Sequence, residues 1–149
     1  MSKRLKQAAF IFIVVLAAAQ LVRPERTNPP TVASRTIQAH VGTASGLAAV
    51  LDRSCRDCHS NGTVWPWYTQ IAPVSWLMAY GVSKGRKAVN FSEWAAYEPQ
   101  LQRALLSASC QDAAVGKMPG PYALMHPEMR LSPHDIETIC AAARKKETP

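Results

Sequence analysis

The chain of 149 residues lacks the patterns that several functional classes require. It has 17 Lys and Arg against 10 Asp and Glu, but it contains no arginine-rich run and no recognised nucleic-acid motif, so nucleic-acid binding is not predicted. Three of the cations, Lys3, Arg4 and Lys6, precede the first apolar run, and the rest of the chain is only mildly basic. No nucleophile–base pair and no carboxylate dyad is visible, so the sequence does not predict an enzyme.

Strand patterns and long apolar runs are also missing. No segment alternates convincingly between apolar and polar residues, which favours an all-α fold and argues against the βαβ pattern of thioredoxin-like proteins. The main apolar run, from Ala8 to Val22, holds 15 residues. As a helix it would extend about 22 Å, which is short of a hydrocarbon core of roughly 30 Å.

Residues 1–22 are predicted to be an export signal or a retained membrane anchor. The cations before the run form a positive n-region, and Ala17-Ala18-Ala19 resembles a cleavage site. Retention stays open, because flanking residues can snorkel and a bilayer can thin locally. Either alternative places the remaining chain on the outer, periplasmic side of the membrane.

Residues 23–45 are predicted to be a proline-rich linker with extended or irregular backbone. Residues 46–149 are predicted to be one helical domain. Its helices are expected over Gly46–His59, from Pro73 onward, over Pro99 to about Val115, and after the capping residue Ser132.

One motif in this domain has a specific chemistry, the run Cys55-Arg56-Asp57-Cys58-His59. The C-x-x-C-H spacing is the sequence form of c-type haem attachment. Each cysteine sulfur can form a thioether to one haem vinyl group, and the histidine can then bind the iron from below the ring. We therefore predict one covalent haem c, attached through Cys55 and Cys58, with His59 as the proximal ligand.

Zinc is the alternative for the two cysteines. A zinc site would need two more ligands, which usually come as a second closely spaced pair. The available candidates are scattered singly: Cys110, His126 and Cys140.

The second axial position is predicted to be filled by Met118. It follows a predicted helix in Val115-Gly116-Lys117-Met118-Pro119, where the glycine allows a turn and the proline stiffens the backbone behind the sulfur. A methionine thioether is the usual electron-transfer ligand, and it raises the reduction potential. His126 remains the main competitor, because bis-histidine ligation is chemically sound. Met78, Met125 and Met129 are weaker candidates, and an open site is the remaining alternative.

These motifs together resemble the small bacterial haem-binding-domain proteins of the cytochrome c class. The resemblance covers nearly the whole chain, including the N-terminal apolar segment. Besides C-x-x-C-H, it rests on Trp65-Pro66-Trp67-Tyr68, Ile71-Ala72-Pro73-Val74-Ser75-Trp76, Asn90-Phe91-Ser92-Glu93-Trp94, Met118-Pro119 and Leu124-Met125-His126-Pro127-Glu128.

The resemblance implies a monohaem, mostly helical, cytochrome c-like domain on the outer side of the cytoplasmic membrane, held by a retained apolar segment (residues 8–22). It also implies that Met118 is the distal ligand. One departure is Gly120, because proline is more usual there after the Met-Pro pair. We expect the aromatic run Trp65–Tyr68 to pack on the porphyrin.

Residues 117–131 form a loop rich in proline and methionine, called the methionine loop below. Cys110 and Cys140 lie on predicted helices that flank this loop. In an oxidising compartment they are expected to form a disulfide, although two buried free thiols are the alternative.

The sequence thus predicts an electron carrier that exchanges electrons with an unidentified redox protein partner. The alternative is a haem-based sensor, in which a small ligand displaces a labile sixth ligand.

Overall fold

Helices make up the regular structure, as the missing strand patterns predicted. The computed structural model describes residues 2–41 and 46–144, and within these ranges it contains seven α-helices and no strand, which confirms the all-α prediction. The helices are α1 Lys3–Ala19, α2 Ile37–Val41, α3 Gly46–Ser54, α4 Arg56–His59, α5 Val74–Ala88, α6 Pro99–Ala114 and α7 Pro133–Arg144. Short 3-10 segments cover Ala33–Arg35, Trp67–Gln70, Phe91–Ala96, Gly120–Leu124 and Pro127–Met129.

The hydrophobic core forms where α3, α6 and α7 meet the 3-10 segment Phe91–Ala96. Leu51 and Ile139 are almost completely buried, and Trp94 packs beside them. Core residues recur at helical spacing in α3 (Leu47, Val50 and Leu51) and in α7 (Ile136 and Ile139), so burying them brings the apolar faces of these helices together.

A disulfide joins α6 to α7. It links Cys110 and Cys140, whose Cα atoms lie 4.8 Å apart, so the expected bridge is present. In the chain-entropy model, closing a loop of this length contributes on the order of 3 to 4 kcal/mol. The loop that it closes contains Met118.

Helix α7 begins with the predicted cap. The Ser132 hydroxyl accepts a hydrogen bond from the Asp135 amide (3.2 Å), and the Asp135 carboxylate accepts bonds from the Ser132 amide and hydroxyl (2.8 and 2.7 Å). Arg53 of α3 pairs with the same carboxylate at 2.8 Å. The bonds from Ser132, and then Arg53, lower the pKa of Asp135 to about 2. The cap therefore also fastens α7 to α3.

Replacing Asp135 by Asn should destabilise the fold by about 1 kcal/mol at neutral pH, because the cap keeps an acceptor but loses its charge. A depressed carboxyl pKa stabilises the fold above the unfolded value and ceases to do so as the pH falls through the folded value. The difference between wild type and variant should therefore shrink from about pH 4 to about pH 2, as measured by denaturant unfolding. Glu137→Gln is the control, because Glu137 is exposed and pairs only with the exposed Arg144. A pH-independent difference for Asp135→Asn would contradict this prediction.

The predicted helix over Gly46–His59 is interrupted at Cys55. There φ is −128° and ψ is −28°, and the chain then forms the separate short helix α4. The break lies at the first residue of the C-x-x-C-H run, so that Cys58 and His59 belong to their own helical turn.

The expectation of an irregular linker is wrong for part of residues 23–45. Ala33–Arg35 forms a 3-10 turn, and α2 carries Ile37, which is completely buried in the core. Burial of one large apolar side chain stabilises this helix beyond what the local composition predicts. Residues 42–45 of the predicted linker and residues 145–149 of the predicted domain lie outside the described residues.

Helix α1 covers most of the N-terminal apolar run, and none of its side chains is buried. In the described part of the chain, no helix combines the length and apolarity needed to cross a bilayer.

Candidate functional site

A cavity of about 450 Å³ lies between α3, α4, α5, α6 and the loop that follows α6. Its lining includes all four residues predicted to hold a cofactor, Cys55, Cys58, His59 and Met118. The first three come from one short stretch, and Met118 comes from the far end of α6, so the tertiary fold brings the two parts together.

The rest of the lining suits a flat apolar cofactor. Apart from the residues discussed below, the wall consists largely of apolar side chains, and its volume falls in the usual range for cofactor sites, roughly 300 to 1,000 Å³. The donor set also fits haem, because it offers two thiols, one imidazole and two thioethers, those of Met118 and Met129. The apolar wall comprises Leu51, Ala88, Val89, Phe91, Leu105, Ala108, Ala113, Met129, Leu131 and Ile139.

The imidazole of His59 is oriented by its own hydrogen bond. Its Nδ1 lies 3.2 Å from the Val89 carbonyl oxygen. A carbonyl only accepts, so Nδ1 carries the proton and Nε2 keeps its lone pair. Burial lowers the pKa of His59, despite the opposing effect of this bond. The side chain of Phe91, 5.8 Å away between ring centroids, packs against the ring. Burial therefore favours the neutral imidazole, the form that a metal ligand requires, although hydrogen bonds to the backbone of Val89 and Gly85 oppose it.

Both cysteines of the motif are free thiols. Burial, reinforced by nearby negative charge, raises the pKa of Cys55 to about 12 and that of Cys58 to about 11. Thioredoxin-like cysteines have the opposite character, with a lowered thiol pKa.

The zinc alternative lacks its remaining ligands. Within residues 2–41 and 46–144, no three His, Cys, Asp or Glu side chains gather as a metal-binding group. Cys110 and Cys140, which were candidates, are bonded to each other.

The loop after α6 presents Met118 to the cavity. Gly116 adopts a φ of +70°, which ends the helix in the left-handed conformation that glycine tolerates. The amides of Lys117 and Met118 then donate to the Asp112 carbonyl at 2.9 and 3.2 Å. The Lys117 ammonium also pairs with the Asp112 carboxylate at 3.0 Å. Met118 is thus held by backbone bonds to the last turn of α6, with 40% of its surface exposed.

His126, the competing ligand, lies elsewhere. It does not belong to the cavity lining, and both of its ring nitrogens have partners. Nε2 is hydrogen-bonded to the Tyr68 hydroxyl, and Nδ1 lies 2.8 Å from the Glu128 carboxylate. These contacts fasten the methionine loop to the segment Trp67–Gln70.

The expectation that Trp65–Tyr68 covers the porphyrin is wrong. None of these residues lines the cavity, and Trp67 is 75% exposed. The Trp65 indole donates instead to the Asn28 side chain at 3.2 Å. This aromatic run packs on the segment after α1 and on the methionine loop, because polar partners there satisfy its N–H and O–H groups.

Helix α5 contributes a small-residue surface that the sequence analysis did not assign to the site. Gly81, Gly85 and Ala88 line the cavity. A Cβ at Gly85 would collide with the Cys58 carbonyl, and a Cβ at Gly81 would collide with the hydroxyl of Tyr122, which also lines the cavity. The sequence did contain a signal for this surface, because two glycines four residues apart, Gly81 and Gly85, are typical of close helix packing.

Gly85→Ala should destabilise the fold, although alanine normally stabilises a helix interior by about 1 kcal/mol relative to glycine. The new methyl group would push α5 from the backbone of the C-x-x-C-H helix, and overpacking of this kind costs about 1 to 3 kcal/mol. The measurement is thermal unfolding.

Gly81→Ala is the matched control for this test. Its Cβ meets the end of the Tyr122 side chain, which can move, so the loss should be smaller. Equal or increased stability for Gly85→Ala would contradict the packing derived from the structure.

The comparison with known protein families agrees with this site. The comparisons with curated proteins and with solved structures found no match. A family model described as a haem-binding domain matches residues 14–145, which is most of the chain and includes the whole cavity. The chain therefore belongs to the haem-binding domain family.

Proposed function

We propose that the protein is a monohaem c-type cytochrome that carries electrons, with His59 and Met118 as axial ligands. The observation that supports this most is the single apolar cavity that collects Cys55, Cys58, His59 and Met118 from separate parts of the chain. No catalytic role is proposed.

Cys55 and Cys58 make the attachment in this proposal. Each thiol would add across one haem vinyl group, so that the sulfur would bond to the carbon next to the ring and the hydrogen would go to the outer carbon. No atom leaves, and no external oxidant or reductant is consumed. Because His59 directly follows Cys58, its imidazole would be the ligand that this attachment places next to the bound haem.

In this proposal, the residues around the haem set its reduction potential. The Val89 carbonyl fixes the His59 ring and increases its basicity through the Nδ1–H bond. The Met118 thioether favours the reduced state, and the apolar wall keeps water away. Bound haem supplies the one-electron chemistry.

We also propose that the domain lies on the outer side of the cytoplasmic membrane, held by the apolar segment of residues 8–22, most of which belongs to α1. A cationic N-terminus followed by an apolar helix with no buried side chain supports this location. The Cys110–Cys140 disulfide supports it independently, because disulfides persist in oxidising compartments.

The partner in this proposal is a redox protein with an acidic surface. Lys117 lies at the cavity, where positive charge can steer such a partner.

Absorption spectra of the oxidised and reduced protein test the function. We expect a covalent haem that survives denaturation and extraction, a single-haem mass increase, and the weak red charge-transfer band of ferric haem bound to methionine sulfur. A protein whose haem is removed by extraction would contradict the attachment. Carbon monoxide binding to the reduced wild type would favour the sensor instead.

A further inference from the structure

We propose that one face of α5 rests on the lipid–water interface of a bilayer, beside α1. This face consists of Trp76, Leu77, Tyr80, Lys84 and Lys87, and it is called the α5 outer face below. The inference rests on the proposed location and adds to it which surface of the domain the membrane contacts.

The α5 outer face is exposed although half of it is apolar. Trp76, Leu77 and Tyr80 are 38%, 56% and 62% exposed. The opposite side of the helix, which includes Met78 and Val82, is buried. None of the three exposed residues lines the haem cavity, so a haem bound there does not cover them.

Hydrogen bonds fix the beginning of α5 to the end of α1. The Gln20 side chain accepts from the Ala72 amide at 2.9 Å and donates to the Ala72 carbonyl at 3.4 Å. Two residues after Gln20, the carbonyl of Val22 accepts from the Trp76 indole at 2.8 Å. The apolar helix and the aromatic end of the α5 outer face are therefore neighbours in space.

The chemistry of this face matches a bilayer surface. Trp and Tyr are amphipathic and collect at the level of lipid headgroups. Lys84 lies over the Tyr80 ring at 5.5 Å, and Lys87 follows one turn later, so the cations lie beyond the aromatic end. Positive charge there favours anionic headgroups.

Continuity with α1 favours lipid over a protein as the occupant. An apolar helix with no buried side chain ends at the aromatic end of the same face. Arg23, exposed just after α1, adds positive charge, and Glu25 is the nearby acidic residue. The net charge of Arg23, Glu25, Lys84 and Lys87 together is positive.

Photo-crosslinking of the full-length holo-protein tests the inference. The protein is reconstituted into vesicles of phosphatidylcholine and phosphatidylglycerol that carry a diazirine phospholipid, and adducts are mapped by mass spectrometry. We expect adducts on α1 and on Trp76, Leu77 and Tyr80, but not on Leu101, a 47% exposed apolar residue of α6.

Paired variants supply the control. Leu77→Glu with Tyr80→Glu should lower the adduct yield at Trp76 about fivefold or more, which corresponds to about 1 kcal/mol of lost affinity. Leu101→Glu should leave that yield unchanged. An unchanged haem spectrum shows that each variant is folded.

The outcomes separate the two proposals. Adducts on α1 without adducts on the α5 outer face would overturn this inference and keep the proposed location, as would equal labelling of Leu101. Failure of the protein to sediment with vesicles would reject the proposed location, and the inference with it. Protection of the face by a second copy or another protein would appear as missing adducts and would count against lipid.

Discussion

The Cys55→Ala, Cys58→Ala double variant is expected to contain no covalent haem and to be poorly folded and sensitive to protease. About 100 residues form a limited core, and the apolar cavity wall would face water in the absence of haem. Any thermal transition should occur at least about 10 °C below that of the wild type, which corresponds to a few kcal/mol for a domain of this size. Circular dichroism melts and limited proteolysis measure the effect.

The single variants Cys55→Ala and Cys58→Ala are the controls. Each keeps one thioether, so intact mass should still show one haem, and stability should lie between those of wild type and double variant. A native-like melt of the haem-free double variant would show that haem has no structural role.

Met118→Ala is expected to abolish the red charge-transfer band and to lower the reduction potential by about 0.1 V or more, a part of the roughly 0.8 V that axial ligands control. The thioether favours ferrous iron, and its loss opens a coordination position. The reduced variant should therefore bind carbon monoxide, while the wild type should not. Redox titration and difference spectra measure these changes.

His126→Ala and Met125→Ala are the matched controls for the distal ligand. Neither residue lines the cavity, and both ring nitrogens of His126 already have hydrogen-bond partners. Both variants should keep the band and the potential, although His126→Ala should loosen the methionine loop. If His126→Ala lost the band and Met118→Ala kept it, Met118 would be rejected as the distal ligand and His126 would take its place.

Much of the helical fold could be predicted from the chain alone. Helix caps and helix ends depend on neighbouring residues. Ser132 begins α7, and Gly116 ends α6 at a positive φ. The expected disulfide between Cys110 and Cys140 also joins two of the predicted helices, α6 and α7. The caps and helix ends depend on residues within one or two helical turns, so the sequence contains the relevant physics.

Predictions that depended on distant neighbours succeeded less well. The aromatic run Trp65–Tyr68 packs away from the cavity, because Asn28 and His126 offer hydrogen-bond partners from distant parts of the chain. Ile37 enters the core from a stretch whose composition suggested a linker. No local sequence pattern shows which distant residues contact Trp65–Tyr68 or surround Ile37.

The sequence by itself determined which chemical groups the candidate site offers at its C-x-x-C-H run. The spacing of Cys55, Cys58 and His59 sets two sulfurs and an imidazole within one helical turn, and this local relation does not depend on the remaining fold. Only the tertiary structure decided what completes the site. It brings Met118 to the same cavity, keeps His126 out of the lining, and lets α5 approach the haem motif through Gly85. Those relations join residues far apart in the chain, and they exist only because burial of apolar surface brings the helices together.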